Sequence, residues 1–249
     1  MTSRYFSPPK PRLFAHRGLA EPVGLDENTL DAFSAALKHG ATHLESDTQA
    51  TADGHAVLFH DTDLERVAGV QARVSDLSLS EIRRISLRNG GSIPTLEEAL
   101  TYFPTAFFNL DIKTKLAIEP TISAIERTKS HSRVLVSSFS NPIRKSALKK
   151  FSTPVATSAS ASIALAAWLS HKVLFGVGLN RIVKNVHALQ VPVGIGLVKF
   201  ADEVFIRRLK STSTEIHFWT INDPLQMQEL IRIGADGIVT DRVDIFQPE

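Results

Sequence analysis

Short apolar runs alternate with longer amphipathic stretches along most of the chain. The first run, Leu13 to His16, is followed by a segment whose apolar side chains recur at helical spacing from Leu30 to Leu37. Gly40 ends this predicted helix, and Ala41 to Thr48 forms the next run. We predict a strand, a helix and a second strand here, with Asn28 as the cap of the helix.

The same alternation continues to the end of the chain. It predicts six further strands, namely Phe107 to Ile112, Val134 to Ser138, Pro154 to Thr157, Val186 to Val191, Ile216 to Ile221 and Gly237 to Thr240. Predicted helices lie between them, at about 116–128, from Ser140-Asn141-Pro142 onward, at 160–170, at 202–211 and from Asp223-Pro224 to Gly234. Only residues 172–186 have no clear pattern. Eight strands alternating with helices predict an α/β fold, the (β/α)8 or TIM barrel.

One irregularity follows the second strand. After a turn at Ala52-Asp53-Gly54, the apolar run Ala56 to Phe59 runs back as a short hairpin strand. A short insertion of about residues 61–95 comes next. It contains the capping-box pattern Ser78 to Glu81 and ends at another, Thr95 to Glu98, so a helix is predicted to start at each.

Composition agrees with one barrel domain. The chain has 249 residues, 43% of them hydrophobic, which is the usual size of such a barrel. We assign residues 12–249 to a single domain and residues 1–11, rich in proline, to a loosely ordered arm. With no cysteine, disulfides, thiolate metal sites and cysteine nucleophiles are excluded.

Charge and hydropathy restrict the classes of binding partner and the cellular location. The formal net charge is only +2 and no basic–aromatic stripe occurs, so nucleic acid is not indicated. No run approaches 18 apolar residues, so no transmembrane segment is expected. The N-terminus lacks an apolar core of signal-peptide length, and we expect a cytoplasmic protein. The oligomeric state is left open.

Candidate chemistry gathers at the predicted strand ends, where barrel enzymes carry their active sites. His16 and Arg17 end the first strand, and His60 follows the hairpin strand. Each histidine alone suits an ordinary half-buried position. Two histidines beside a cationic site are able to divide general acid and general base roles, because their unperturbed pKa lies near neutrality. The following Gly18 lets the backbone turn sharply and approach a ligand closely.

Carboxylates form a second group. Glu45 and Asp47 lie two apart on the second strand and share one side, and Asp111 lies on the next barrel strand. Three inward carboxylates repel one another unless a cation lies between them. Hard oxygen ligands favour Mg²⁺ or Ca²⁺ over zinc, although a hydrogen-bonded cluster without metal is the alternative.

Further residues suit an anionic substrate. Lys113 and Arg17 offer an ammonium and a planar guanidinium to a phosphate, while Lys113 is alternatively a simple partner of Asp111. Trp219, near the end of the seventh strand, serves either packing or substrate contact.

Together these motifs resemble the glycerophosphodiester phosphodiesterase family of phospholipase-C-like TIM barrels. The resemblance covers nearly the whole chain after the arm, through His16-Arg17-Gly18, Glu27-Asn28-Thr29, Glu45-x-Asp47, Ala52-Asp53-Gly54, His60-Asp61, Pro94 to Leu100, Asp111-x-Lys113, Ser137-Ser138-Phe139, Trp219 to Asn222 and Gly234 to Asp241. Two positions depart from the family pattern, which usually has Glu at Asp111 and often Pro at Val243.

The resemblance implies metal-dependent hydrolysis of small glycerophosphodiesters to glycerol 3-phosphate and an alcohol. It assigns catalysis to His16 and His60, without fixing which is the acid, and allows a cyclic phosphate intermediate. The implied metal ligands are Glu45, Asp47 and Asp111, and Arg17 and Lys113 are implied to bind phosphate. Two alternatives remain, a lysophospholipase D acting on lysophospholipids and a catalytically silent barrel that binds phosphodiesters.

Overall fold

The computed structural model describes residues 4–246, so the ends of the predicted arm and of the predicted domain, residues 1–3 and 247–249, lie outside the described part. The strands in chain order are β1 (Arg12–His16), β2 (His43–Ala50), β3 (Ala56–Leu58), β4 (Asp63–Leu64), β5 (Val70–Arg73), β6 (Phe107–Ile112), β7 (Val134–Ser137), β8 (Ala156–Thr157), β9 (Ala188–Val191), β10 (Gly194–Ile195), β11 (Val198–Lys199), β12 (Glu215–Phe218) and β13 (Gly237–Thr240).

Eight of these strands run parallel in the order β8, β7, β6, β2, β1, β13, β12 and β9. A parallel bridge between Ser158 and Ala188 links the two outer strands, so the sheet is a nearly closed barrel. The predicted (β/α)8 fold is confirmed. The seventh barrel strand ends at Phe218 and not at Ile221 as predicted, because the regular hydrogen bonding between strands stops there. Beyond that point, Ile221 N still donates a hydrogen bond to Val239 O.

Helices connect the strands and cover the barrel. They are α1 (Leu30–Lys38), α2 (Glu65–Ala68), α3 (Leu79–Ile82), α4 (Leu96–Tyr102), α5 (Ile118–Arg127), α6 (Asn141–Leu148), α7 (Ala161–Val173), α8 (Leu179–Val183), α9 (Glu203–Lys210) and α10 (Pro224–Arg232). Residues 172–186, which had no clear pattern, contain the end of α7 and the short α8. The main apolar core lies between strands and helices, for example at Phe33, Phe108 and Ile125.

Helix caps agree with the sequence at two positions and differ at a third. Ser78 and Thr95 form the predicted capping boxes of α3 and α4. The cap of α1 is Thr29, whose side chain accepts from Ala32 N, and not Asn28 as predicted. Asn28 has a left-handed φ of 58°, and its side-chain oxygen accepts from Ser46 Oγ, so it joins the helix start to β2.

The insertion between β3 and α4 packs with Val57 of β3 in a small apolar cluster that includes Leu64, Val74 and Ile82. Its antiparallel pair β4–β5 and the short α2 lie beside the loop that precedes α1. Arg66 on α2 reaches from the insertion to Glu27, with Nη2 at 2.6 Å from Oε1. The insertion therefore supplies one edge of the barrel's carboxyl end.

The described part of the arm is not loose, and this corrects our expectation. Arg4–Phe6 forms a 3-10 turn, and the side chain of Tyr5 is completely buried. Its ring packs edge-on against the imidazole of His43, with 4.7 Å between centroids, and His43 Nε2 hydrogen-bonds to Tyr5 O. The prolines exclude a regular helix or strand in this segment but do not prevent its packing. The arm closes the floor of the barrel.

Candidate active site

A cavity of about 520 Å³ opens at the carboxyl ends of the barrel strands. All eight side chains that the sequence predicted for the site line it: His16, Arg17, Glu45, Asp47, His60, Asp111, Lys113 and Trp219. The barrel therefore brings all eight side chains to one cavity.

Strand register explains the arrangement. In the parallel pairing, Glu45 is the partner of both His16 and Asn109. Two residues further along the strands, Asp111 is the partner of both Asp47 and Ser137. Residues two apart on a strand share one face, so the pairs form two successive layers inside the barrel.

Positive charge lies among the carboxylates. Lys113 Nζ is 2.7 Å from Asp47 Oδ1 and 2.8 Å from Asp111 Oδ2. Arg17 Nε lies 3.4 Å from Asp47 Oδ2. The ammonium group of Lys113 thus lies between two of the three carboxylates. This position is compatible with both roles named for Lys113, as a phosphate ligand and as a partner of Asp111.

Burial makes this cluster electrostatically expensive. Burial and the neighbouring Asp47 raise the pKa of Glu45 to about 8. Burial also raises the pKa of Asp111, although Lys113 opposes that shift. Carboxyl groups with raised pKa values gain from any further cation that approaches them. A further cation, in addition to Arg17 and Lys113, would therefore stabilise the ionised carboxylates of this cluster.

One observation argues against a metal site in this arrangement of side chains, and another argues for it. Within residues 4–246, no three His, Asp or Glu side chains are gathered tightly enough to hold a metal ion. However, the buried oxygens Asn109 Oδ1 and Asp47 Oδ2 make no hydrogen bond to any described residue. The available donors are carboxylate and amide oxygens, which suit Mg²⁺ or Ca²⁺. The donor set thus fits such a cation, provided that the side chains close around it.

His16 is fixed by a partner from the far end of the chain. Its Nδ1 lies 2.7 Å from Asp241 Oδ1, and Asp241 Oδ2 accepts from Asn222 Nδ2 at 2.7 Å. Burial lowers the pKa of His16, but the hydrogen bond to Asp241 and the charge of Glu45 outweigh burial and raise it. The sequence analysis gave Asp241 and Asn222 no role. The available signal was that Asn222 directly follows the predicted seventh strand and Asp241 directly follows the eighth.

His60 has a corresponding partner nearby. Its Nδ1 lies 2.6 Å from Asp61 Oδ1, and Asp61 Oδ2 accepts from Arg66 Nε at 2.6 Å. Arg66 also binds Glu27, which in turn accepts from Arg17 Nη1 at 3.1 Å. This chain of ion pairs links the second histidine to the arginine at the end of β1. Sequence reasoning had not given Asp61, Arg66 or Glu27 a role in the site.

Local backbone geometry turns Arg17 into the site. Its φ of 57° is left-handed, and its N–H donates to Glu45 O at 3.0 Å. The following Gly18 has φ of 88°, and a Cβ there would lie 2.7 Å from Ala32 Cβ. This glycine is thus required by the turn and by close packing on α1. The closest described neighbour of Gly18 is therefore Ala32 on α1.

The wall opposite the charged cluster is apolar. It contains Ala161, Ala164, Leu165, Val191, Pro192, Ile195, Val198 and Phe200. Phe139 and Trp219 lie at the boundary between the two walls, with 5.8 Å between ring centroids and an edge-on orientation. Lys113 Nζ is 5.7 Å from the centroid of the Phe139 ring. The cavity therefore has one charged and one apolar side.

Fold and site together define a (β/α)8 barrel whose cavity is lined by two imidazoles, two basic side chains and three carboxylates. The chain belongs to the Glycerophosphoryl diester phosphodiesterase family, whose sequence profile matches residues 16–245. It is a phosphoric diester hydrolase. These findings confirm the family resemblance and the enzyme class.

Individual relatives and solved structures are similar to this chain. The probable glycerophosphodiester phosphodiesterase 2 of Mycobacterium tuberculosis is 38% identical over 234 residues, which cover 94% of this chain and 88% of that protein. The glycerophosphodiester phosphodiesterase structure from Thermotoga maritima has a TM-score of 0.71 at 26% identity and covers 94% of this chain and 95% of its own. An Oleispira antarctica phosphodiesterase, solved with its product sn-glycerol-3-phosphate, has a TM-score of 0.76 at 21% identity, with 94% of each chain covered.

Proposed function

We propose that the enzyme hydrolyses glycerophosphodiesters to glycerol 3-phosphate and an alcohol, with His16 and His60 as the general acid–base pair. The observation that carries this proposal is that each imidazole has its Nδ1 held by a carboxylate and lines the cavity that also contains Arg17 and Lys113. The product bound to the Oleispira relative supports the choice of glycerol 3-phosphate.

The carboxylate partners of the two histidines determine which imidazole nitrogen is available for proton transfer. Asp241 and Asp61 accept from Nδ1, so this nitrogen carries a proton in both rings and Nε2 is left to exchange a proton with the substrate. One Nε2 removes the proton from the attacking oxygen, and the other protonates the departing oxygen. Arg17 and Lys113 bind the phosphate oxygens, whose negative charge grows during attack.

A divalent metal, Mg²⁺ or Ca²⁺, belongs to this proposal. Glu45, Asp47 and Asp111 would hold it, and Asn109 Oδ1 is a further oxygen in the same layer as Glu45. When bound, the metal supplies a Lewis acid that polarises a phosphoryl oxygen. Lys113 would then exchange its contact with Asp47 or Asp111 for one with the phosphate.

Turnover of glycerophosphocholine tests the proposal. We expect release of glycerol 3-phosphate, loss of activity in excess EDTA and recovery on addition of Mg²⁺ or Ca²⁺. Full activity in EDTA with a metal-free protein would remove the metal from the proposal and leave the histidine pair. Binding of glycerophosphocholine without turnover would contradict the proposed substrate.

The apolar wall favours one second candidate, a lysophospholipase D. Leu165 and Ile195 line the cavity, yet they expose 45% and 64% of their surface, so an apolar path leads outward from the charged wall. A single acyl chain would fit along that path. Comparison of kcat/KM for lysophosphatidylcholine and glycerophosphocholine separates the two candidates. A cytoplasmic location stays a prediction of the sequence, and no helix in residues 4–246 has the length and hydropathy needed to cross a membrane.

A further inference from the structure

An apolar surface extends from the cavity mouth down the outside of the barrel. We define the apolar face as Leu165, Leu169, Val173, Leu174, Phe175, Val177, Ile195 and Leu197, all of them exposed. Leu197 exposes 94% of its surface and Phe175 exposes 79%. Exposed apolar side chains are ordinary when they are scattered, but a continuous patch marks an interaction surface.

The apolar face is continuous because of helix geometry. Leu165, Leu169 and Val173 are spaced by four residues, so they form one stripe along the outer side of α7. With 13 residues, α7 extends that stripe for about 20 Å. The β10–β11 hairpin, which carries Ile195 and Leu197, is attached to α7 by a hydrogen bond. Trp168 Nε1 on that helix donates to Lys199 O at 3.0 Å.

Charge around the apolar face is mostly positive. Residues 127–201 contain eleven of the chain's 28 Lys and Arg and none of its 26 Asp and Glu. Around the apolar face, Arg181, Lys184 and Lys199 are exposed and make no ion pair with any carboxylate in residues 4–246. Lys172 is different, because it is neutralised by Asp202 at 2.7 Å. The free charges beside the apolar face are therefore positive.

From this combination we infer that the apolar face docks on an anionic lipid surface. Exposed leucine and phenylalanine side chains enter the boundary between headgroups and acyl chains, while lysine and arginine bind anionic headgroups. A second copy of the chain is a poorer occupant, because a two-fold interface through this face would bring the same positive charges together. Docking places the hairpin, and with it the mouth of the catalytic cavity, against the membrane.

Vesicle sedimentation tests this inference without reference to catalysis. Wild-type protein is mixed at low salt with vesicles of phosphatidylcholine alone or of phosphatidylcholine with phosphatidylglycerol. We expect binding to the mixed vesicles, weak binding to the neutral ones and loss of binding at high salt. Neutralising Arg181, Lys184 and Lys199 to glutamine should weaken binding by about fivefold for each residue.

The apolar contribution has its own matched control. The double variant Leu197→Ser/Phe175→Ser should lower vesicle binding by at least about tenfold. Leu116→Ser/Leu225→Ser makes comparable changes at exposed leucines outside the apolar face and should bind as wild type does. Thermal unfolding checks that both variants fold, and turnover of soluble glycerophosphocholine should stay unchanged in both.

Two results would overturn the inference. One is wild-type protein that stays in the supernatant with mixed vesicles at low salt. The other is a dimer in sedimentation velocity that Leu197→Ser/Phe175→Ser dissociates, which would show that a second copy covers this face. Failure of glycerophosphocholine turnover in the wild type would count against the proposed function alone, because vesicle binding does not depend on it.

Discussion

His16 Nδ1 and Asp241 Oδ1 lie 2.7 Å apart although 225 positions separate the two residues in the chain. The contact joins the end of the first barrel strand to the residue directly after the last one, across neighbouring strands of the closed sheet. Asn222 holds the second oxygen of the same carboxylate. The barrel thus orients one imidazole of the candidate acid–base pair through its own closure.

The variant Asp241→Asn tests this relationship. Loss of the carboxylate should lower the pKa of His16, because the hydrogen bond and charge that raise it are removed. We expect kcat to fall by about 10²-fold or more, since the amide no longer selects the working tautomer. One limb of the pH–rate profile should move to lower pH. If the alkaline limb moves, His16 is the acid, and if the acid limb moves, it is the base.

A matched control for this variant is Asp244→Asn, three residues further along the chain, which changes a carboxylate that is bound to Arg242. Its profile should match that of wild type. An unchanged profile and unchanged kcat in Asp241→Asn would show that the contact does not position His16.

Removal of the second imidazole tests the histidine pair. His60→Ala should lower kcat by about 10²–10⁴-fold, the usual effect of losing a positioned acid or base. Stability should change little, because His60 is half-buried and lies outside the main core. His55→Ala, at an exposed histidine on the preceding turn, is the control and should be fully active. Near-normal kcat in His60→Ala would contradict the pair.

Lys113→Met distinguishes two roles of this ammonium group. If Lys113 stabilises charge that grows on the phosphate, kcat should fall as well as kcat/KM. A change in KM alone would limit it to substrate capture or to neutralising Asp47 and Asp111. Lys115→Met, at an exposed lysine two residues further on, should leave both constants unchanged.

Asp111 is the position that departs from the family pattern, and its charge is testable by metal titration. Asp111→Asn keeps the shape and removes a negative charge, so metal affinity should fall and added metal should partly restore activity. Asp111→Glu should retain activity and change the preference between Mg²⁺ and Ca²⁺, because Mg²⁺ tolerates displaced ligands less well. Unchanged metal affinity in Asp111→Asn, measured by calorimetry, would leave Asp111 as a partner of Lys113.

Stability at low pH depends on a different carboxylate, at the floor of the barrel. Glu215 accepts two hydrogen bonds from the buried Arg12, at 2.9 and 2.8 Å. Burial raises the pKa of Glu215, but the hydrogen bonds from Arg12 and His217 outweigh burial and hold it well below its ordinary value of 4.5. The unfolded chain therefore binds this proton first. The stabilisation is complete above about pH 4.5 and is lost as the pH falls further.

Glu215→Gln should thus lower the free energy of unfolding by about 3 kcal/mol at neutral pH, because Arg12 stays buried without its charged partner. The difference from wild type should shrink below pH 4.5. Urea unfolding at several pH values measures both effects. Glu229→Gln, which removes an exposed pair with Arg232, should leave stability close to that of wild type at any pH. A constant difference at all pH values would contradict the ionic origin.

The sequence by itself determined the order of the eight barrel strands, most of the helices between them and the set of candidate side chains. Alternation along a strand depends on residues two apart, and a capping box such as that of Thr95 depends on residues three apart. Such short-range rules already place Glu45 and Asp47 on one side of β2. The barrel then requires the ends of its parallel strands to meet, so His16 and Asp111 were expected at the same opening.

Tertiary structure alone decided which of these groups touch. The contact of His16 with Asp241, the position of Lys113 between Asp47 and Asp111 and the burial of Tyr5 depend on closure of the sheet and on its register. These contacts join elements that are distant in the chain, and no local periodicity encodes them. Strand register decides which side chains face the cavity, because a shift of one position would turn each side chain to the opposite face. Packing of the whole core sets that register, and with it the distances between the polar groups.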